Sequence, residues 1–285
     1  MRDILIVGAT SLVGSRIVRN LAGKYAFHLA SRRGHSNLTV DLATIQPLVF
    51  PRAYSVVIHC AAAFGGDSPE DMIRNEVVNS VGALRVALAA KEARCRHLIY
   101  IGSIFSCDSP SNSHFNSYGI SKLHGHENQQ AVCHKGGVKF CSLWPSQLYD
   151  NECIGRKHQA ALYSMVDRAR EGKDIVINGK TDPLRNYLHV DDLVRIIERI
   201  IELGAIGTYY CVAPKSHTIS EVARIAQETF GRGGSVLRNP SAPDIGTIFI
   251  PDGQPLYDAV NFTPERDLAS GMRAIRAFLE GGAEC

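Results

Sequence analysis

The stretch VGATSLVG, residues 7–14, lies between an apolar run, DILIVGA, and the segment SLVGSRIVRNLAG, whose apolar residues fall at helical spacing. It reads as the turn of a strand–turn–helix unit, with Gly8 in the turn and Gly14 where the helix packs on the strand. The pattern continues outward. FHLAS, SVVIHCAA, HLIYIGS and KFCSLWPSQLY are further strand-like runs, while VVNSVGALRVALAAKEA and SYGISKLHGHENQQAVCHK between them read as helices. Continuous apolar strands alternating with helices predict an α/β fold, a doubly wound parallel sheet covered on both faces.

Beyond about residue 150 the rhythm loosens. RKHQAALYSMVDRAREGK reads as a helix ending near Gly172, and IVING as a short strand. RNYLHVDDLVRIIERIIELG begins as a strand and continues as a helix that Asp191 or Asp192 would cap. GTYYCVA is another strand, TISEVARIAQETFG a helix introduced by Ser220, and the tail a last helix with Pro264 near its beginning.

Of the 285 residues, 45% are hydrophobic and 21% charged, with net charge +3, too mild a balance to suggest nucleic acid. No apolar run approaches the ~18 residues of a membrane span. The start is too short and acidic for a secretory signal, so a cytoplasmic location is expected. The eight cysteines are scattered without a C-x-x-C pair. They read as reduced thiols, with no metal site.

A glycine pattern gains meaning from its strand–turn–helix context. The free N–H groups and positive dipole end of the following helix suit a pyrophosphate, with Thr10, Leu12 and Val13 completing the loop. Ser11 stands where G-x-x-G-x-x-G has its middle glycine. Being small and at the helix start, it is expected to cap the helix or to donate to a cofactor phosphate. The second signal is SYGISK. Tyr118 and Lys122, at i and i+4, share one helix face. An ammonium there lowers a phenol pKa that is otherwise about 10 and lets the phenol exchange a proton near neutrality. The preceding strand ends in Gly102-Ser103, which would set Ser103 beside Tyr118.

In chain order, ILIVGATSLVG, Asp41-Leu42, VIHCAA at 57–62, Asn79 and Gly82, SYGISKLHGHE, LWPSQLYD, RNYLHVDDL at 185–193 and TYYCVA resemble one family. It is the extended short-chain dehydrogenases/reductases, specifically the NAD-dependent epimerase/dehydratase family acting on nucleotide sugars. The resemblance implies hydride transfer with Tyr118 exchanging the proton, Lys122 lowering its pKa and binding the nicotinamide ribose, and Ser103 positioning the reacting oxygen. Ser106 is a second candidate for that serine, because the loop is short. Cofactor contacts are implied at Gly8, Thr10, Ser11, Leu12, Val13, Gly14, Asp41, Leu42, Cys60, Ala61, Ala62, Asn79 and Pro145. The same resemblance implies a homodimer joined through the helices around Gly82 and Lys122. Residues 1–150 and about 186–213 are expected to form the dinucleotide-binding Rossmann domain, and about 151–185 and 214–285 a smaller substrate-binding domain.

The second strand ends HLASRRG, offering Ser31, Arg32 and Arg33 where NAD enzymes usually place an acid for the ribose 2′-OH. Arginine suits a 2′-phosphate, so NADP is expected, with NAD the alternative. Ile104 and Phe105, expected to face substrate, follow Ser103 where the family's dehydratases carry an Asp-Glu pair, which disfavours dehydration. Family 4-epimerases hold NAD tightly, so the leading reading is an NADP-dependent reductase of a nucleotide-diphosphate 4-keto sugar. A nucleotide-sugar epimerase comes second, and a non-catalytic NADP-binding sensor third. Cys107, beside the active loop, would support an added 3,5-epimerisation or stay a buried structural thiol. Trp144 replaces a family arginine, Asp150 a glycine and Cys211 an asparagine. Ser241-Ala242-Pro243-Asp244 lacks the arginine often set against the substrate diphosphate, leaving Arg185 and Arg238 as its candidate cations. His126 and His189 read as packed residues.

Overall fold

Asp3–Val7 forms β1, which is buried along nearly its whole length and takes parallel partners on both sides, β2 (Ala26–Ser31) and β4 (Val56–His59). The computed structural model describes residues 2–32, 37–112 and 114–281. Around β1, the strands β3 (Leu38–Thr39), β5 (His97–Ile101), β6 (Lys139–Pro145) and β7 (Gly207–Cys211) complete a seven-stranded sheet in the order β7-β6-β5-β4-β1-β2-β3. Every pairing in it is parallel. The central strands are buried on both faces, so their continuous apolar runs follow from the layers above and below.

One face is covered by α1 (Leu12–Asn20) and α6 (Val190–Leu203), packed through Ile17, Leu193, Ile197 and Ile200. On the other face lie α3 (Gly82–Glu92) and α4 (Ser117–Gly136), with Val86, Ala90 and Cys133 against the sheet. A second core joins α5 (Ala160–Arg170), α7 (Ile219–Phe230) and α9 (Leu268–Glu280) through Leu162, Val166, Val222, Ala226 and Met272. A short parallel pairing of Ile175–Asn178 with Val236–Asn239 lies in the same part of the chain.

Helix ends show what local pattern does not decide. Ser11 caps α1, its Oγ accepting from the Gly14 amide at 3.1 Å. At α6 the cap is neither Asp191 nor Asp192 but His189, whose Nδ1 accepts from the Asp191 amide at 3.1 Å. Thr218, not Ser220, caps α7, because it forms a reciprocal box with Glu221. Asp267 caps α9, three positions beyond Pro264. The helix read as starting near Val77 extends further back: α2 (Pro69–Asn75) runs into a π-helical segment, Glu76–Val81, which continues into α3.

Where α1 meets the first turn, a Cβ on Gly14 would lie 2.4 Å from the Gly8 carbonyl oxygen, a backbone atom that cannot swing away. Ser11→Ala should therefore cost about 1 kcal/mol, the worth of a cap. Gly14→Val should cost more and also weaken dinucleotide binding. Urea unfolding with a fluorescence titration checks both. A Gly14→Val protein as stable as wild type would show that the turn is not so tight.

Candidate active site

The strand order reverses between β1 and β4, and a cleft of about 570 Å³ opens there over the carboxyl ends of the strands. Gly8, Thr10, Ser11, Leu12, Ser31, Arg32, Asp41, Leu42, Ala61 and Ala62 all line it. Gly8 has φ +91°, and a Cβ there would meet the Ala61 amide nitrogen at 2.5 Å, so two loops approach each other through bare backbone. Val13 and Gly14 lie buried in α1 behind the loop. The Asp41 carboxylate accepts from the Ala43 amide at 2.9 Å. Arg33 falls outside the described residues. A capped helix start, a floor of small side chains and a rim arginine fit a dinucleotide, with the phosphates at α1.

Beside this cleft, the Tyr118 ring lies 4.5 Å from the ring of Phe64, which lines it, and the Tyr118 phenol is hydrogen-bonded to the Ser103 side chain. Ser103 also caps the 3-10 turn Ile104–Cys107, its Oγ accepting from the Phe105 amide at 3.2 Å. Ser106 points elsewhere, donating to the Gly119 carbonyl at 2.9 Å. Burial pushes the Tyr118 phenol up to about 12, with the Ser103 bond acting in the opposite direction. Lys122 is buried over the Tyr100 ring, its Nζ 4.3 Å from the ring centroid and donating to the Ile101 carbonyl at 2.5 Å. Burial pulls its ammonium down to about 7, partly offset by Cys60. The expected depression of the phenol by this lysine is thus not seen, because the ammonium faces a carbonyl and a ring.

Two asparagines tie this centre to the strand ends. Asn79, in the π-helical segment, exchanges hydrogen bonds with both backbone groups of Ala63, at 2.8 and 2.9 Å, and donates to Ser121 Oγ at 3.0 Å. Asn75 exchanges hydrogen bonds with both backbone groups of Gly65, at 3.1 and 3.4 Å, and donates to Ser117 Oγ at 2.8 Å. Asn79, read as a cofactor contact, is thereby engaged with protein groups. Pro145 ends β6 and is buried.

Several residues of the cleft carried no signal in the sequence: Phe64, Arg74, Val78, Ile154, Lys157 and His158. Phe64 follows the VIHCAA strand by two positions, and strand ends at a switch point are where ligand contacts gather; that was the available hint. The other wall depends on Asp150, whose buried carboxylate accepts from the amides of Glu152, Ile154 and Gly155 at 2.9, 3.1 and 2.7 Å. It thereby folds the loop that carries Ile154, Lys157 and His158 to the cleft.

The two expected substrate cations are turned to other partners. Arg185 is buried and donates to the carbonyls of Leu184 and Gly246. Arg238 bonds the Gly179 and Thr181 carbonyls and Ser220, with Asp182 at 3.6 Å. Ile104 and Phe105 pack with Val212, Ile248 and Ile250. Burial pushes the Cys107 thiol up to about 11, which leaves it protonated and poorly suited to carbon acid/base work near neutrality. Trp144 packs between His126 and Tyr210 and donates to Ser142. Cys60, Cys95, Cys107, Cys133, Cys141 and Cys211 are free thiols, whereas Cys153 is disulfide-bonded, so the reduced reading does not extend to it.

A doubly wound sheet with a cleft at its switch point, and a serine, a tyrosine and a lysine close by, defines a nucleotide-dependent enzyme of the extended short-chain dehydrogenase type. Residues 4–213 match the profile of the NAD dependent epimerase/dehydratase family, and the chain belongs to it. It is 27% identical over 275 residues to "Probable GDP-L-fucose synthase 1" of Oryza sativa subsp. japonica, covering 85% of this chain and 81% of the relative. It is 22% identical over 300 residues to "dTDP-4-dehydro-6-deoxy-D-allose reductase" of a Streptomyces species, covering 93% and 92%. Its fold matches UDP-N-acetylglucosamine 4-epimerase from Bacillus cereus with a TM-score of 0.82 at 17% identity, over 100% and 99% of the two chains. The chain is accordingly an NAD(P)-dependent, nucleotide-sugar-modifying enzyme.

The buried lysine has a measurable signature. Its folded pKa, about 7, lies below the ordinary 10.5. Between these values the unfolded chain binds more protons, so this group makes stability rise with pH from about 7 towards 10.5. Lys122→Met should melt higher than wild type at pH 6.5, with the gap narrowing strongly by pH 9.5, in protein without added dinucleotide. Identical shifts at both pH values would show that the lysine is not held in a charge-poor site.

Proposed function

We propose that this protein is an NADP-dependent reductase of a nucleotide-diphosphate 4-keto sugar. The observation that carries the reading is the pairing of the Ser103–Tyr118 contact with Arg32 on the cleft at the end of β2, where no carboxylate stands. The Streptomyces relative is named as a reductase of a dTDP-linked dehydro sugar, which supports it. A reduced dinucleotide held in the cleft by Gly8, Ser11 and Arg32 would supply the hydride for the carbonyl carbon. Ser103 and Tyr118 hold the carbonyl oxygen between two hydroxyls, and the Tyr118 phenol releases its proton to that oxygen as it becomes an alcohol. Lys122, one turn along α4, would bind the nicotinamide ribose rather than the phenol, since its ammonium faces the Ile101 carbonyl and the Tyr100 ring. Arg32 addresses the 2′-phosphate. Elimination of water finds no acid beside Ser103, since Ile104 and Phe105 follow it.

Purified protein should consume NADPH when given a nucleotide-linked 4-keto sugar. Recovery of the protein with tightly held NAD, and no NADPH consumption, would replace this reading with the epimerase. Tyr118→Phe should lower turnover by about 10²–10⁴-fold while NADPH binding survives. Loss of a charge-assisted hydrogen bond, about 1.5–3 kcal/mol, should make Arg32→Ala weaken NADPH binding at least about tenfold and leave NADH nearly unchanged. Equal losses for the two cofactors would remove the 2′-phosphate assignment. The same reading makes the protein a cytoplasmic homodimer joined through α3 and α4, where Leu88 of α3 stays exposed. Sedimentation as a monomer would remove the dimer.

A further inference from the structure

Among the described residues, Arg32, Arg74 and Lys157 bring positive charge to the cleft, against the single carboxylate of Asp41. Arg32 follows β2 and Arg74 lies on α2, whereas Lys157 belongs to the 3-10 turn Arg156–His158. That turn is fastened to the start of α1. A Cβ on Gly155, the N-cap of the turn, would lie 3.3 Å from Cδ2 of Leu12, the first residue of α1. Arg16, one helical turn further along α1, is buried and donates to Glu152 at 3.1 Å, with Asp150 at 3.8 Å. On its other side the turn reaches across the cleft, where the His158 ring lies edge-on 4.9 Å from the ring of Phe64. Arg156 is engaged with Asp167 and lies over the Tyr163 ring. Lys157 is exposed and has no hydrogen bond or ion pair among the described residues.

We propose that Lys157 is a dinucleotide-binding residue whose ammonium pairs with the cofactor pyrophosphate at the start of α1. The inference rests on the reading of this cleft as the dinucleotide site and deepens it. Residues 8–14 contain no lysine or arginine, so the loop itself meets the phosphates with amides, hydroxyls and the helix dipole. A diphosphate partly removed from water also needs a cationic partner. Of the three cations, Lys157 is the one whose own element packs on Leu12, and the contact of His158 with Phe64 holds it over that stretch of the cleft. Lysine suits the role, because a compact charge on a flexible stem follows the oxygens of either phosphate. Arg32 addresses a group that only NADP carries, whereas NAD and NADP share the pyrophosphate.

The test measures NADPH and NADH binding by fluorescence titration, and ADP-ribose and 2′-AMP binding by calorimetry, at low ionic strength. Lys157→Gln should weaken NADPH, NADH and ADP-ribose by a common factor of about five to ten. It should leave 2′-AMP unchanged, since that nucleotide has no diphosphate. Lys157→Arg, which keeps the charge, should recover most of the loss. Unchanged binding of NADPH and NADH by folded Lys157→Gln overturns the inference. So does a loss confined to NADPH and 2′-AMP, which gives the lysine to the 2′-phosphate, or one seen only with a nucleotide sugar, which gives it to the substrate diphosphate. Wild-type protein that binds neither dinucleotide is a different result, because it overturns the dinucleotide reading of the cleft itself.

Discussion

Two side-chain amides, those of Asn75 and Asn79, hold the active site in one piece. Both are buried, and both satisfy the backbone of the loop that leaves β4 while donating to serines on α4. A buried amide costs stability unless its partners are present, so the arrangement specifies the distance between loop and helix tightly. The π-helical segment Glu76–Val81 carries Asn79 in its middle, and such turns concentrate at functional sites. Ser103 belongs to a different strand end, and it meets Tyr118 because α4 is set at this height.

Burial also sorts the titratable groups. Cys60 is pushed up to about 12 and Cys107 to about 11, so neither thiol offers a thiolate near neutrality. His59, buried and bonded to Gln129, is pulled down to about 3 and stays neutral. Lys122, in the same dry region, is instead pulled to about 7, within reach of physiological pH. Desolvation is the largest cause in each case, raising the acids and lowering the bases.

Much of the fold was readable in advance. The strands around β1 are apolar on both faces because layers cover them twice, and that leaves a continuous run that a sequence displays openly. The Tyr118–Lys122 spacing was equally legible, since a helix places i and i+4 on one side whatever surrounds it. Helix starts were less so: His189 and Thr218 cap where nearby Asp and Ser residues looked equally suitable. Arg185 and Arg238 show what a sequence leaves open. A charge in a sequence does not announce its partner, and both guanidiniums turn to carbonyls of the same chain. Lys157 and His158 belong to a single 3-10 turn, too short to show a period, and Phe64 was hinted at only by its place beyond a strand end.

By itself, then, the sequence determined the sheet, its helices, the glycine turn at VGATSLVG and the paired phenol and ammonium, because each depends on residues close along the chain. Tertiary structure alone decided which serine meets the phenol, that Lys122 faces a carbonyl and a ring, that Asp150 folds the opposite wall, and that Phe64 lies against the Tyr118 ring. Those outcomes depend on contacts between segments distant in sequence, and only packing fixes which buried polar group finds which partner.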